Sequence, residues 1–245
     1  MSPELDTDPS AFPSAPPASL DDPGVIVEHD WRAFQQVERM ADHWDRPGWS
    51  DQQRSYYWMH TFPDPGELLQ RAEHCQRALQ HLALDPVPAE GLHVTLLRVG
   101  AVDQVSTAQV EHLLGLAQKL SVEAFHALAH PLAGSRGAVR FSLTPWTPLV
   151  RLHAALSEAG KQAGVPGGSP TAAFRPHLGI AYSNQVRSAA AVVDAVAPLR
   201  SLPSVPLHFT TVELVELRRQ DRAYRWRTVR SVPLRAAAAS RSTSA

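Results

Sequence analysis

The chain has 245 residues, enough for one large domain or two small ones, and its 44% hydrophobic and 19% charged residues are an ordinary globular balance. A formal net charge of −1 excludes a protein that grips nucleic acid by bulk electrostatics, so any contact with a polyanion has to be local. The single cysteine, Cys75, excludes an internal disulfide and any Cys-x-x-Cys site, and no apolar run reaches the length needed to span a membrane.

Residues 1–24 are rich in Pro, Ser, Ala and Asp, which predicts a disordered N-terminal segment. The opening Met1-Ser-Pro-Glu-Leu-Asp6 has no apolar stretch, so no secretory signal is expected, and the setting expected is reducing and cytoplasmic. Ser55–Phe62 is aromatic and strand-like and stops at Pro63. Asp64-Pro-Gly-Glu67 reads as a helix start with Asp64 as N-cap, followed by Leu68, Ala72, Cys75, Leu79 and Leu82 at helical spacing. Leu92–Gly100 is a second strand, and Ser106-x-x-Gln109 opens a helix as a capping box. Ala138–Leu143 reads as a strand and Thr147-Pro148 as a helix start, with Leu149, Leu152, Leu156 and Ala159 on one face up to the break at Gly164–Gly168. His177–Tyr182 is a strand and Ala189–Val196 a short helix. Two long strands, Pro206–Leu217 and Tyr224–Leu234, close the folded part, and the Ala/Ser-rich stretch 236–245 predicts a disordered tail.

Strands mixed with helices, without a regular βαβ alternation, predict an α+β fold, with residues 25–235 as one domain. Each half of that domain holds a strand that begins with histidine: His93-Val-Thr-Leu-Leu-Arg and His177-Leu-Gly-Ile-Ala-Tyr. Residues i and i+2 of a strand share a face. His93 and Thr95 therefore point one way while Val94 and Leu96 point into the core, and His177 and Gly179 share a face opposite Leu178 and Ile180. For one such strand the ordinary explanation is an edge histidine satisfied by a carbonyl. Two, one in each half, weaken that explanation.

Leu92–Gly100 and Phe174–Asn184 resemble the two signatures of the two-histidine (2H) phosphoesterase superfamily, which includes bacterial 2′-5′ RNA ligase-like proteins and RNA cyclic phosphodiesterases. The resemblance runs from about Tyr56 to Leu234. It implies two pseudo-symmetric lobes of antiparallel sheet with outer helices around a central groove, each lobe contributing a His-x-Thr/Ser motif. It further implies a metal-independent phosphodiesterase with no cofactor, acting on a nucleotide or short RNA with a 2′,3′-cyclic phosphate or a 2′-5′ bond, with reverse ligation by the same groups. His93 and His177 are the implied catalytic acid and base, which suits imidazole because both of its protonation states exist near neutrality. Thr95 is implied to hold a phosphate oxygen, and Gly179 stands where the family has Thr or Ser. A site weakened by that loss, in a nucleotide- or RNA-binding module that retains the fold, is the alternative reading.

Arg175, next to Pro176-His177, is a further candidate for the phosphate, with a surface ion pair as its ordinary role. Tyr182 is a candidate for base stacking at the groove rim, with a partly buried aromatic at a strand end as its ordinary role. Alternation places Arg98 opposite His93. Tyr56, Trp58 and His60 share a face and either line the groove floor or pack, and for Trp44 and Trp49 packing is favoured over base stacking. His126 and His130 lack the glutamate of a His-Glu-x-x-His helix, so no metal site is expected. No membrane partner is expected, and a monomer is the working expectation.

Overall fold

The computed structural model describes residues 4–45, 50 and 52–236. Trp49 and the tail beyond residue 236 lie outside the described residues. In chain order the elements are α1 (Pro23–Gln35), β1 (Arg39–Met40), β2 (Arg54–Thr61), α2 (Gly66–Ala78), β3 (Asp85–Pro86), β4 (His93–Ala101), α3 (Thr107–Ala117), β5 (Phe125–Gly134) and β6 (Ala138–Thr144). They continue with α4 (Thr147–Gln162), β7 (His177–Tyr182), β8 (Arg187–Ser188), α5 (Ala190–Val196), β9 (Val205–Phe209), β10 (Thr211–Gln220) and β11 (Ala223–Pro233).

Two antiparallel sheets make the two lobes, one in the order β11-β10-β2-β4 and the other β3-β7-β6-β5-β9, while β1 pairs with β8. The α+β expectation holds. The single predicted strand Pro206–Leu217 is two strands, because β9 pairs with β5 in one sheet and β10 with β2 and β11 in the other. The chain changes lobes at Thr210. A period-2 pattern continues through such a crossing, so the sequence showed no break there. The β10–β11 hairpin turns on Asp221 and Arg222, both at φ 52°, which is the geometry of a two-residue turn whose twist matches the strands.

Helices α3 and α4 cover the first sheet, with α4 against β4 and α3 against β11, while α1 and α2 cover the second. Ser106 caps α3 in a capping box with Gln109, as the sequence predicts. The cap of α2 differs: Pro65 is the N-cap residue and Asp64 makes no such bond. Helix α1 has a readable start, since Asp22 accepts a hydrogen bond from the Val25 amide and Pro23 takes the first turn. Its buried face is Ile26, Asp30, Trp31 and Phe34, and the aspartate inside that face disguises the apolar period.

The disorder predicted for residues 1–24 is not what the described residues 4–22 show. Leu5 and Leu20 pack on Ile26, Trp146 and Val150. The Trp146 amide donates to the Leu20 carbonyl, and the Asp6 amide to that of Ala172. Composition measures how much apolar surface a segment can bury. It does not register that carbonyls of this segment are the partners of the buried Arg175 guanidinium.

The edge strand β4 is closed by the Gly164–Gly168 loop. The Gly167 amide donates to the Val99 carbonyl at 2.7 Å, and a β-carbon at 167 would sit 2.3 Å from that oxygen, so only glycine permits the approach.

Candidate active site

His93 opens β4 opposite Thr61 of β2, and His177 opens β7 opposite Ser142 of β6. The two strands pack against one another across the lobes. In each, the imidazole Nδ1 lies against the carbonyl oxygen two residues earlier: 2.7 Å to Gly91 for His93 and 2.9 Å to Arg175 for His177. A carbonyl only accepts, so Nδ1 carries the proton in both rings, and the basic lone pair of the neutral form belongs to Nε2. An edge histidine satisfied by a carbonyl and a catalytic histidine oriented by one are thus the same arrangement here, repeated once per lobe.

The repeat extends further. In β4 the register runs Met59↔Thr95 and then Trp58↔Leu97, a bulge at Leu96. In β7 it runs Arg140↔Gly179 and then Val139↔Ala181, a bulge at Ile180. A bulge adds one residue and resets the alternation. The residue five after each histidine, Arg98 or Tyr182, therefore returns to the histidine's face. This corrects the placement of Arg98 opposite His93: it pairs with Tyr57, which shares the face of Met59 and Thr61.

The two rings differ in setting. His93 is half-buried, edge-on to Tyr224 at 6.0 Å and Trp226 at 5.4 Å. Burial holds its pKa below the ordinary imidazole value, and the Gly91 carbonyl only partly offsets this by favouring the protonated ring. His177 is exposed. Thr95 is half-buried on the face of His93. At Gly179 the space a β-carbon would fill is faced by Tyr182, whose hydroxyl oxygen lies 3.4 Å from that position.

Tyr182 belongs to an aromatic cluster that joins the lobes, not to a rim. Its ring stacks on His43 at 4.0 Å and meets Trp44 at 5.2 Å and Tyr224 at 5.6 Å. His43 Nε2 is 2.8 Å from the Tyr224 hydroxyl, and the Trp44 indole donates to Asp85 at 2.8 Å. Trp44 therefore packs. Sequence reasoning missed His43 and Trp226, which no local pattern marks, and gave Tyr224 only a place on a strand.

Arg175 does not face the groove. Its guanidinium is buried and donates to the carbonyls of Pro13, Ala172, Phe174, Asp6 and Ser14, at 2.6–3.1 Å. It anchors the N-terminal segment, and its own carbonyl orients His177. Tyr56, Trp58 and His60 also turn away from the groove. Trp58 is fully buried beneath the sheet, and His60 Nδ1 lies 3.0 Å from the Thr211 carbonyl. Tyr57 and Met59 are the residues on the His93 side, where they pack with Val215, Leu217, Tyr224 and Trp226. His126 and His130 lie on strand β5, His126 edge-on to His208 and His130 2.8 Å from the Thr144 hydroxyl. Among the described residues no three His, Cys, Asp or Glu side chains group as a metal site.

Comparison with curated proteins returns no match. Among solved structures, E. coli LigT complexed with ATP is similar at a TM-score of 0.54 and 18% identity, over 75% of this chain and 99% of that one. LigT complexed with 3′-AMP is similar at 0.55 and 18%, over 74% and 98%. TT0787 of Thermus thermophilus is similar at 0.54 and 18%, also over 74% and 98%. These likenesses are of fold. The family model of the 2′-5′ RNA ligase superfamily matches residues 64–222, which contain both histidine strands and more than half of the chain, so this protein belongs to the 2′-5′ RNA ligase superfamily of 2H phosphoesterases.

Proposed function

We propose that the protein is a phosphodiesterase that opens a 2′,3′-cyclic phosphate, or cleaves a 2′-5′ bond, on a nucleotide or short RNA. The observation that carries this reading is the repeated half-site: two imidazoles on packed strands of opposite lobes, each with Nδ1 fixed on the carbonyl two residues back. The nucleotide complexes of LigT support the substrate class.

In hydrolysis, His93 is the base, because burial favours its neutral form at pH 7. Its Nε2 takes a proton from water as the water oxygen bonds to phosphorus. The bond from phosphorus to a ribose oxygen breaks, and protonated His177 gives its Nε2 proton to that oxygen. Thr95 donates to a non-bridging oxygen and stabilises the charge that builds there. With a 5′-hydroxyl in place of water the same step gives a 2′-5′ linkage: His93 takes the hydroxyl proton, the bond from phosphorus to O3′ breaks and His177 protonates O3′. Cleavage of that linkage runs the step backwards, with the two histidines exchanging roles. No step calls on a metal or a cofactor. A cytoplasmic monomer acting away from membranes remains part of the proposal.

Gly179 favours a second reading, a module that binds nucleotides without turning them over. Assay of a 2′,3′-cyclic nucleotide separates the two. Turnover that persists in EDTA and is lost in both His93→Ala and His177→Ala supports the enzyme. Binding of a nucleoside 3′-monophosphate without any turnover supports the module.

A further inference from the structure

The two half-sites match in their histidine, its carbonyl anchor and the bulge three residues on, but only the first has a hydroxyl two residues after the histidine. The second has Gly179 there and, five residues after its histidine, Tyr182. The bulge at Ile180 brings Tyr182 back to the face of His177, and its hydroxyl oxygen lies 3.4 Å from where a β-carbon of residue 179 would be. The three nearest atoms to that point are all from the end of the Tyr182 ring. A threonine hydroxyl at 179 would stand one covalent bond from that β-carbon. The phenol oxygen thus reaches the region such a hydroxyl would occupy, and the absent side chain is what gives it room.

We propose that the Tyr182 hydroxyl supplies the second half-site with the phosphate-oxygen hydrogen bond that Thr95 supplies to the first, which makes Tyr182 a catalytic residue. This rests on the phosphodiesterase reading above. The ring is suited to the task because it is held from three sides: stacked on His43 at 18° between planes and edge-on to Trp44 and Tyr224. A phenol fixed in this way loses little conformational freedom when it donates. Gly179 is then no sign of decay. It is the partner that a tyrosine in this position requires.

The test is Tyr182→Phe, alone and combined with Gly179→Thr. Loss of one hydrogen bond to a charged phosphate lowers kcat/KM on a 2′,3′-cyclic nucleotide by about 10- to 150-fold in a variant whose circular dichroism shows the fold retained. Affinity for a nucleoside 3′-monophosphate, read by calorimetry, falls with it. Adding Gly179→Thr to Tyr182→Phe restores most of the loss, which a merely structural tyrosine would not allow. The assignment is overturned if Tyr182→Phe stays within about twofold of the parent in both readouts, or if the double variant is no better than Tyr182→Phe. The His93→Ala and His177→Ala controls tell the failures apart. If they abolish turnover while Tyr182→Phe does not, only the tyrosine assignment falls. If they leave turnover intact, the two-histidine reading falls, and the 3′-monophosphate affinities alone decide on Tyr182.

Discussion

Strands β4 and β7 are two versions of one device, and they differ in what surrounds it. Both start with a histidine whose Nδ1 is anchored on a carbonyl, and both bulge three residues later. In β4 the anchoring carbonyl belongs to Gly91, the ring is pressed against Tyr224 and Trp226, and a threonine hydroxyl sits beside it. In β7 the carbonyl belongs to Arg175, which five backbone carbonyls hold in place, and the ring is exposed. The lesson is that orientation is shared between the lobes while burial is not: the same carbonyl anchor holds one ring in an enclosed setting and the other in an open one.

That comparison can be broken most directly at the imidazoles. His93→Ala and His177→Ala each lower kcat on a 2′,3′-cyclic nucleotide by about 10²- to 10⁴-fold. Near-equal losses would match the repeated geometry, and a loss confined to one variant would break it.

Arg175→Ala tests whether that side chain is structural. Its truncation removes a buried guanidinium and the donors to five backbone carbonyls, and a destabilisation of about 3 kcal/mol is expected in urea titration. Affinity for a nucleoside monophosphate is expected to hold. A large fall in affinity with unchanged stability would instead put the guanidinium on the phosphate.

Thr95→Val keeps the side-chain shape and removes the hydroxyl. A fall of about 10- to 150-fold in kcat/KM is expected, and an unchanged rate would remove Thr95 from the reaction.

The smallest effect concerns pH. His93 has a depressed pKa, so it is neutral and able to act as a base above that value, and activity falls as pH drops through it. The acidic limb of the rate profile therefore lies below the ordinary histidine value of about 6.5. Trp226→Ala admits water to the ring, raises its pKa and shifts that limb to higher pH. A limb that does not move would mean that burial by Trp226 is not what sets the base.

Part of the fold was legible from local pattern. The strand His177–Tyr182 and the capping box at Ser106 stand as read, because each depends on neighbours a few residues away. Helix α1 was missed through its buried Asp30, which accepts from the Ser142 hydroxyl at 2.7 Å and lies 3.8 Å from Arg140, partners more than a hundred residues distant. Strand β5 was missed because its His126–His130 spacing fits a helix as well as a strand. The face of Arg98 came out wrong because alternation counts residues and cannot see a bulge, while Tyr56, Trp58 and His60 share a face as read and only the side of the sheet they take was left open.

The sequence alone determined the two histidines, the hydroxyl beside one of them and the glycine beside the other, since these are matters of residue type and spacing. Tertiary structure decided which groups surround them. It turned Arg175 inward onto the N-terminal segment, brought His43 and Trp226 from distant loops and strands, and aimed Tyr182 at the gap left by Gly179. The physical reason is that register and bulges fix where a side chain points, and burial fixes what proton it carries. Both are properties of the packed sheets and not of any short stretch of chain.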